Sequence, residues 1–337
     1  MIISGVKSKQ KLRSAWSKER LIHERALALG HSIDTSTWKN YESALNSYLN
    51  FVKLHDLPVN PTPDNLSFFT VFMSHHIKPS SVDTYLSGIC QQLEPYFPNV
   101  RETRKSILVH RTLEGCKRLR GSPTSRKRAL TIEDLRCVTT KYSENPSHDD
   151  LLFTSMLLTG FFGLMRLGEL TIPDDTSLII PRKVTSRSSL SITDSDYRFF
   201  LPSHKADKFF EGNTIIIRKN PSDVNPLHFF KQYLTSRDTL FPLSSELWLT
   251  MDGSCPSRSF FITCLRNFFS TDIGGQSMRA GGATLLAENG VAPHLIQATG
   301  RWASAAFQIY IRKNPTLLQA LLYSADKNED NFIKIFT

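Results

Sequence analysis

The stretch GRWASAAFQIYIRKNP, residues 300–315, sets Tyr310 between Ile309 and Ile311 and directly before Arg312 and Lys313. A tyrosine on an apolar helix face is ordinarily core filler, because the ring supplies buried area and the hydroxyl needs only one partner. Placed in a cationic pocket, the same phenol is a nucleophile. Its reference pKa near 10 means that attack at neutral pH needs positive charge or a base to favour the phenolate. The sequence offers few competing chemistries: it holds no G-x-x-x-x-G-K-[ST], no H-E-x-x-H and no G-x-S-x-G elbow. NTP-driven, zinc-peptidase and α/β-hydrolase readings therefore lose their usual support. What remains is basic residues and a tyrosine. Arg166 closes the apolar run LLFTSMLLTGFFGLM (151–165), where an unpaired charge is expensive. Glu169, about one helical turn later, is placed to hold it. Taken alone, such an arginine reads first as an ordinary surface or ion-pairing residue.

Three stretches line up with one family. GLMRLGEL (163–170), SMRAGGATLLAENG (277–290) and TGRWASAAFQIY (299–310) resemble the first Arg, second Arg and Tyr boxes of the tyrosine recombinases, the phage-integrase family. The nine-residue step from Arg301 to Tyr310 is similar to the family's step from its third-box histidine to its tyrosine. LPSHKAD (201–207), SMRAGGAT and GRW look most like the Crypton group of eukaryotic DNA transposons.

The resemblance implies a reaction and a set of roles. DNA is broken and rejoined through a 3′-phosphotyrosyl intermediate, with Tyr310 as nucleophile and neither metal nor ATP required. Arg166 and Arg279 are the clamp: guanidiniums stay charged at any working pH and grip non-bridging phosphate oxygens with forked hydrogen bonds. Glu169 supports Arg166. The proton for the departing 5′-oxygen falls to a lysine on the hairpin YRFFLPSHKADKFFEGNTIIIR (197–218), either Lys205 or, second, Lys208, with His204 beside them. The implied partners are double-stranded DNA and three further copies of the chain, in a tetramer that exchanges strands through a Holliday junction.

Two departures from the family pattern stand out. Where a His-x-x-Arg box is common, this chain has Gln276-Ser-Met-Arg279, and glutamine hydrogen-bonds but does not shuttle a proton as imidazole does. Arg301 occupies the histidine position and is followed by Trp302. Arg301 there adds charge against the phosphate and Trp302 walls the pocket, or both simply pack a helix. Two rivals share the pattern: a domesticated DNA-binding protein that has lost strand cleavage, and a type IB topoisomerase.

The elements that must position these residues are mostly helical. Trp38, Tyr41, Leu45, Tyr48, Leu49 and Val52 recur every three or four residues, which predicts one apolar stripe on a polar helix. Further helices are predicted over 63–76, 79–97 and 101–119, with breaks at LPVNPTP (57–63) and FPNV (97–100). In the second half, Thr131 with Asp134 predicts a helix cap, and LIIP (178–181), YRFFLPS (197–203) and NTIIIRK (213–219) read as strands. Gly281 and Gly282 predict close backbone approach near Arg279. The fold class is thus mainly α. By the resemblance, a SAM-like helical core-binding bundle (1–119) and a basic linker (120–130) precede an α+β catalytic domain (131–337) with a small antiparallel sheet. The apolar segment 316–336 predicts a helix that docks on a neighbouring subunit or completes its own core.

Charge points the same way. Of 41 Lys and Arg and 31 Asp and Glu, residues 1–128 hold 20 and 10, so the whole net charge of +10 lies in the first part of the chain. A polyanion is the expected partner, a solvated basic surface the plain alternative. KRLRGSPTSRKR (117–128) carries Lys117, Arg118, Arg120, Arg126, Lys127 and Arg128 among Gly, Pro and Ser. That composition suits a tether lying along phosphates, or equally a nuclear-import signal. Nuclear residence follows chiefly from the eukaryotic-element resemblance. Five scattered cysteines without a C-x-x-C pair argue against a disulfide framework or cysteine zinc site, and the N-terminus shows no secretory signal.

Overall fold

The computed structural model describes residues 13–123, 126–205, 207, 209–220 and 223–302. Tyr310, Lys208 and the segment 316–336 lie outside the described residues. Packing divides the chain into two units, after Thr124.

The described residues of the first unit form helices joined by loops: α1 (Lys18–Gly30), α2 (Thr35–Leu54), α3 (Pro63–Met73), α4 (Pro79–Leu93), α5 (Val100–Lys105) and α6 (Ile107–Arg120). The stripe on α2 buries Tyr48 and Val52, together with Ala44 and Phe51, while Trp38 at its start stays exposed. These side chains meet Leu66 and Phe69 of α3 and Val82, Leu86 and Ile89 of α4 in one core. The predicted break at 57–63 is an ordered loop, tied down where Asn65 Nδ2 donates to the Pro58 and Asn60 carbonyls at 2.9 Å each. The predicted helix over 101–119 is two helices. Ser106, extended at ψ 149°, ends α5, and its hydroxyl accepts from Val109 N to cap α6.

The second unit is built on α8 (His148–Phe162), which follows α7 (Ile132–Lys141). Nearly every residue of α8 is buried, because other elements cover it on several sides. Both helices open on reciprocal caps, Thr131 with Asp134 and Ser147 with Asp150. The three strands β1 (Ser191–Ile192), β2 (Asp196–Leu201) and β3 (Asn213–Arg218) form an antiparallel sheet in that order. Tyr197 pairs with Ile217 and Phe199 with Ile215; all four are buried and Phe200 and Ile216 are exposed, the two-residue alternation of a one-sided sheet. The Tyr197 hydroxyl bonds to Thr159 Oγ1 of α8 at 2.7 Å, which seats the hairpin on that helix. LIIP (178–181) is not a strand: Asp175 and Pro181 start short 3-10 turns on either side of it, and proline brings no N–H to a ladder. The third strand comes instead from Ser191 and Ile192.

Four more helices follow among the described residues: α9 (Pro226–Leu240), α10 (Arg258–Arg266), α11 (Ser277–Glu288) and α12 (Pro293–Thr299). No described helix is long and apolar enough to cross a membrane. The pair of glycines on α11 does permit close approach. A methyl group at Gly282 would sit 2.0 Å from the Phe161 carbonyl oxygen, and one at Gly281 2.2 Å from that of Leu130. Gly282→Ala is therefore expected to destabilise the second unit by about 1–3 kcal/mol through backbone overlap. Gly115→Ala on α6, where an added methyl meets nothing within 4 Å, is expected to stabilise the first unit by up to about 1 kcal/mol. Urea unfolding of the two variants checks both signs.

Candidate active site

The site begins where α8 stops. Gly163 caps the helix, Leu164 turns left-handed at φ 48°, and Met165 N reaches back five residues to the Gly160 carbonyl at 2.9 Å. This is a Schellman-type ending, with leucine where glycine is usual. Arg166 then lies on extended backbone, at φ −82° and ψ 146°, ahead of a 3-10 turn formed by Leu167–Glu169. It is not on the apolar helix itself. The Glu169 relation survives in another geometry. The Glu169 carboxylate accepts from the Arg166 backbone N–H at 3.0 Å and from Arg166 Nη1 at 2.8 Å.

A second helix ends in the same way. At the close of α12, Gly300 caps, Arg301 is left-handed at φ 55°, and Trp302 N reaches back five residues to the Gln297 carbonyl. That conformation costs a side-chain-bearing residue roughly 1–2 kcal/mol. It turns the Arg301 side chain inward, where Nη2 donates to Glu169 Oε2 at 3.1 Å and to the Leu164 carbonyl at 3.3 Å. Nη1 donates to the Gly163 and Thr299 carbonyls. Only 8% of the side chain is exposed, and Nε is buried with no hydrogen-bond partner among the described residues. Burial pulls the Arg301 pKa below the usual arginine value, Glu169 opposes that shift and Arg166 adds to it; the group stays cationic.

Arg279, on the first turn of α11, is 3% exposed. Its Nη1 donates to the Leu164 carbonyl at 2.6 Å and its Nη2 to the Gly300 carbonyl, and the guanidinium lies over the Trp302 ring, 3.9 Å from the centroid. Both terminal nitrogens are thus engaged, so the forked face expected to meet phosphate is turned to backbone carbonyls. Arg166 is the more open of the two, with 29% of its side chain exposed.

Arg166, Glu169, Arg279 and Arg301 are therefore joined through one carboxylate and one carbonyl, with the Trp302 ring against Arg279, although they come from three distant segments. Gln276 and Lys205, the other described catalytic candidates, make no bond to this network. Gln276 is exposed at the N-cap of α11 and its side chain makes no capping bond. Lys205 is exposed on the loop between β2 and β3, next to the half-buried His204. In that loop Asp207 N bonds to the His204 carbonyl, and the Asp207 carboxylate accepts from the backbone N–H groups of Phe209, Glu211 and Gly212.

Much of the basic segment is paired within its own unit. Lys117 bridges Asp83 and Glu114, and Arg120 meets His75. Arg128 pairs with Asp134 and Asp272, and Lys127 Nζ donates to the Thr271 carbonyl. Residues 127–130 are thus bonded into the second unit; Arg118 and Arg126 are exposed. Leu164 was not legible as a functional position, since it contributes a carbonyl and a backbone angle rather than a reactive side chain.

Glu169→Gln removes one negative charge from between two guanidiniums at a side chain only 5% exposed. The expected loss is about 3 kcal/mol, read as a lower urea midpoint for the second unit at neutral pH.

No protein-family model and no curated protein matches the sequence. Solved structures do match the fold. The XerH site-specific recombinase, in a post-cleavage complex with a palindromic difH substrate, superposes with a TM-score of 0.56 at 16% identity, over 84% of this chain and 78% of that one. A lambda integrase dimer bound to a COC′ core site gives 0.53 at 14%, over 86% and 96%. The Tn1549 transposon integrase, in complex with transposon right-end DNA, gives 0.51 at 11%, over 93% and 96%. The mainly helical chain with its small antiparallel sheet has the fold of the tyrosine recombinases.

Proposed function

We propose that this chain is a DNA strand transferase that breaks and rejoins duplex DNA by the tyrosine-recombinase reaction. The observation that carries the reading is the convergence of Arg166, Arg279 and Arg301 on Glu169 and the Leu164 carbonyl, within a fold shared by enzymes of that kind. Three cations around one carboxylate leave an excess of positive charge, which suits a phosphodiester gaining negative charge in transit. In the reaction, the Tyr310 phenolate oxygen attacks the scissile phosphorus and the bond to the 5′-oxygen breaks. Lys205 gives that oxygen its proton. A 3′-phosphotyrosyl ester and a 5′-hydroxyl result, and the ester keeps the bond energy for religation. Arg166 supplies open N–H groups to a non-bridging oxygen, and Arg279 supplies charge from behind, braced on Trp302. Assembly as a tetramer on two duplexes, service to a Crypton-like mobile element and nuclear residence extend the same reading from the sequence resemblance.

The test offers element-junction duplexes carrying a nick near the cleavage point, so that the released strand diffuses away and the adduct is trapped. The native chain is expected to form a covalent complex mapping to Tyr310, and Tyr310→Phe to form none while keeping its DNA affinity. A native chain that binds DNA without any adduct is a silent binding protein, and one that relaxes supercoils without sequence preference is a topoisomerase. Arg166→Ala is expected to slow cleavage about 10²–10³-fold. Lys205→Ala should slow an ordinary phosphodiester about 10²–10⁴-fold but leave a substrate with sulfur in place of the bridging 5′-oxygen nearly unaffected, because a thiolate leaves without a proton.

A further inference from the structure

The residue at the usual histidine position faces inward. Arg301 commits its two terminal nitrogens to four oxygens of this chain, the Gly163, Leu164 and Thr299 carbonyls and the Glu169 carboxylate. With 8% of its side chain exposed and Nε sealed in, it has no open edge to offer a ligand. Two of these four ties lead to the clamp. Glu169 Oε2, which receives Arg301, also takes the Arg166 backbone N–H, while Oε1 takes Arg166 Nη1. The Leu164 carbonyl, which receives Arg301, also takes Arg279 Nη1.

We infer that Arg301 is a positioning residue that couples the two clamp arginines through Glu169 and the Leu164 carbonyl, and that it does not itself touch the scissile phosphate. The inference rests on the strand-transfer reading and deepens it. In place of a proton-handling imidazole, the chain has a buried cation that fixes the rotamer of a carboxylate, and the carboxylate fixes Arg166. The left-handed backbone at Arg301 makes the inward direction possible, because an arginine continuing α12 as helix would project from another face of it. Strain held at a cap whose side chain then makes four hydrogen bonds is strain the surrounding structure maintains.

Two measurements separate positioning from direct phosphate binding. The first is the salt dependence of affinity for the nicked duplex, whose logarithmic slope falls by about 0.9 for each B-form DNA phosphate that the protein no longer neutralises. Arg166→Met is expected to lower the slope by about that amount and Arg301→Met to leave it unchanged. The second is the single-turnover cleavage rate of Arg301→Met, Glu169→Gln and the double variant. If Arg301 acts through Glu169, each single variant slows cleavage by about 10-fold or more and the double variant is no slower than the worse single. Arg301→Lys keeps the charge but cannot span both acceptors, and is expected to recover little of the rate. A slope lowered by Arg301→Met, or rate losses that multiply in the double variant, overturns the inference and makes Arg301 an independent phosphate ligand. A native chain that forms no adduct, with slopes behaving as expected, sinks the strand-transfer reading while leaving Arg301 as an internal brace.

Discussion

One carbonyl oxygen organises the second unit. The chain leaves α8 by a left-handed turn at Leu164, and that turn points the Leu164 carbonyl at Arg279 and Arg301 instead of along the helix axis. The last carbonyls of a helix have no partner within it and carry the negative end of its dipole. Here backbone N–H groups of the capping turn meet the Thr159, Gly160 and Phe161 carbonyls, and two guanidiniums take the Gly163 and Leu164 carbonyls just beyond them. A buried helix end and two buried cations, each costly alone, thereby meet each other's needs. Gly282 on α11 is part of the same constraint, since only a residue without a side chain allows that helix to come so close to the Phe161 carbonyl.

Charge is handled with similar economy. Arg279 and Arg301 are almost wholly removed from water, which would be prohibitive for isolated cations. Carbonyl dipoles, the Glu169 carboxylate and the Trp302 ring offset that loss. Arginine suits this role because its several N–H groups fan out in one plane and its charge survives desolvation. A histidine in the place of Arg301 would reach fewer acceptors. Two non-glycine residues in left-handed caps, one at each end of the network, show how far local backbone preference has yielded to it.

Outside this network the basic residues divide in two. Some, such as Lys117 and Arg128, are matched by carboxylates of their own unit and help hold elements in place. Exposed pairs of that kind contribute little to stability and keep a cation near the surface. Others, such as Arg118, Arg126 and Lys205, face solvent. The net charge of the first part of the chain is thus an overall field, with fewer uncommitted cations than the number of basic residues implies.

Much was readable from the order of residues alone. Apolar spacing on α2, prolines opening α3 and α4, the Thr131–Asp134 cap and the alternation in β2 and β3 are local signals, because helix and strand periods act over a few residues. The arginine boxes were legible through their resemblance to the motifs of one family, since an arginine taken alone reads as an ordinary ion-pairing residue. Tertiary structure decided which way those side chains face. The glycines beside Leu164 and Arg301, Gly163 and Gly300, signal a helix end but stand one residue before the left-handed position, and both left-handed residues are held there by partners more than a hundred residues apart in sequence. Burial of Arg279 beneath Trp302 likewise depends on α11 and α12 closing against the end of α8. The sequence by itself determined the elements and the chemical groups; packing determined which guanidinium stayed open to solvent, because desolvation and hydrogen-bond satisfaction are settled only when distant segments meet.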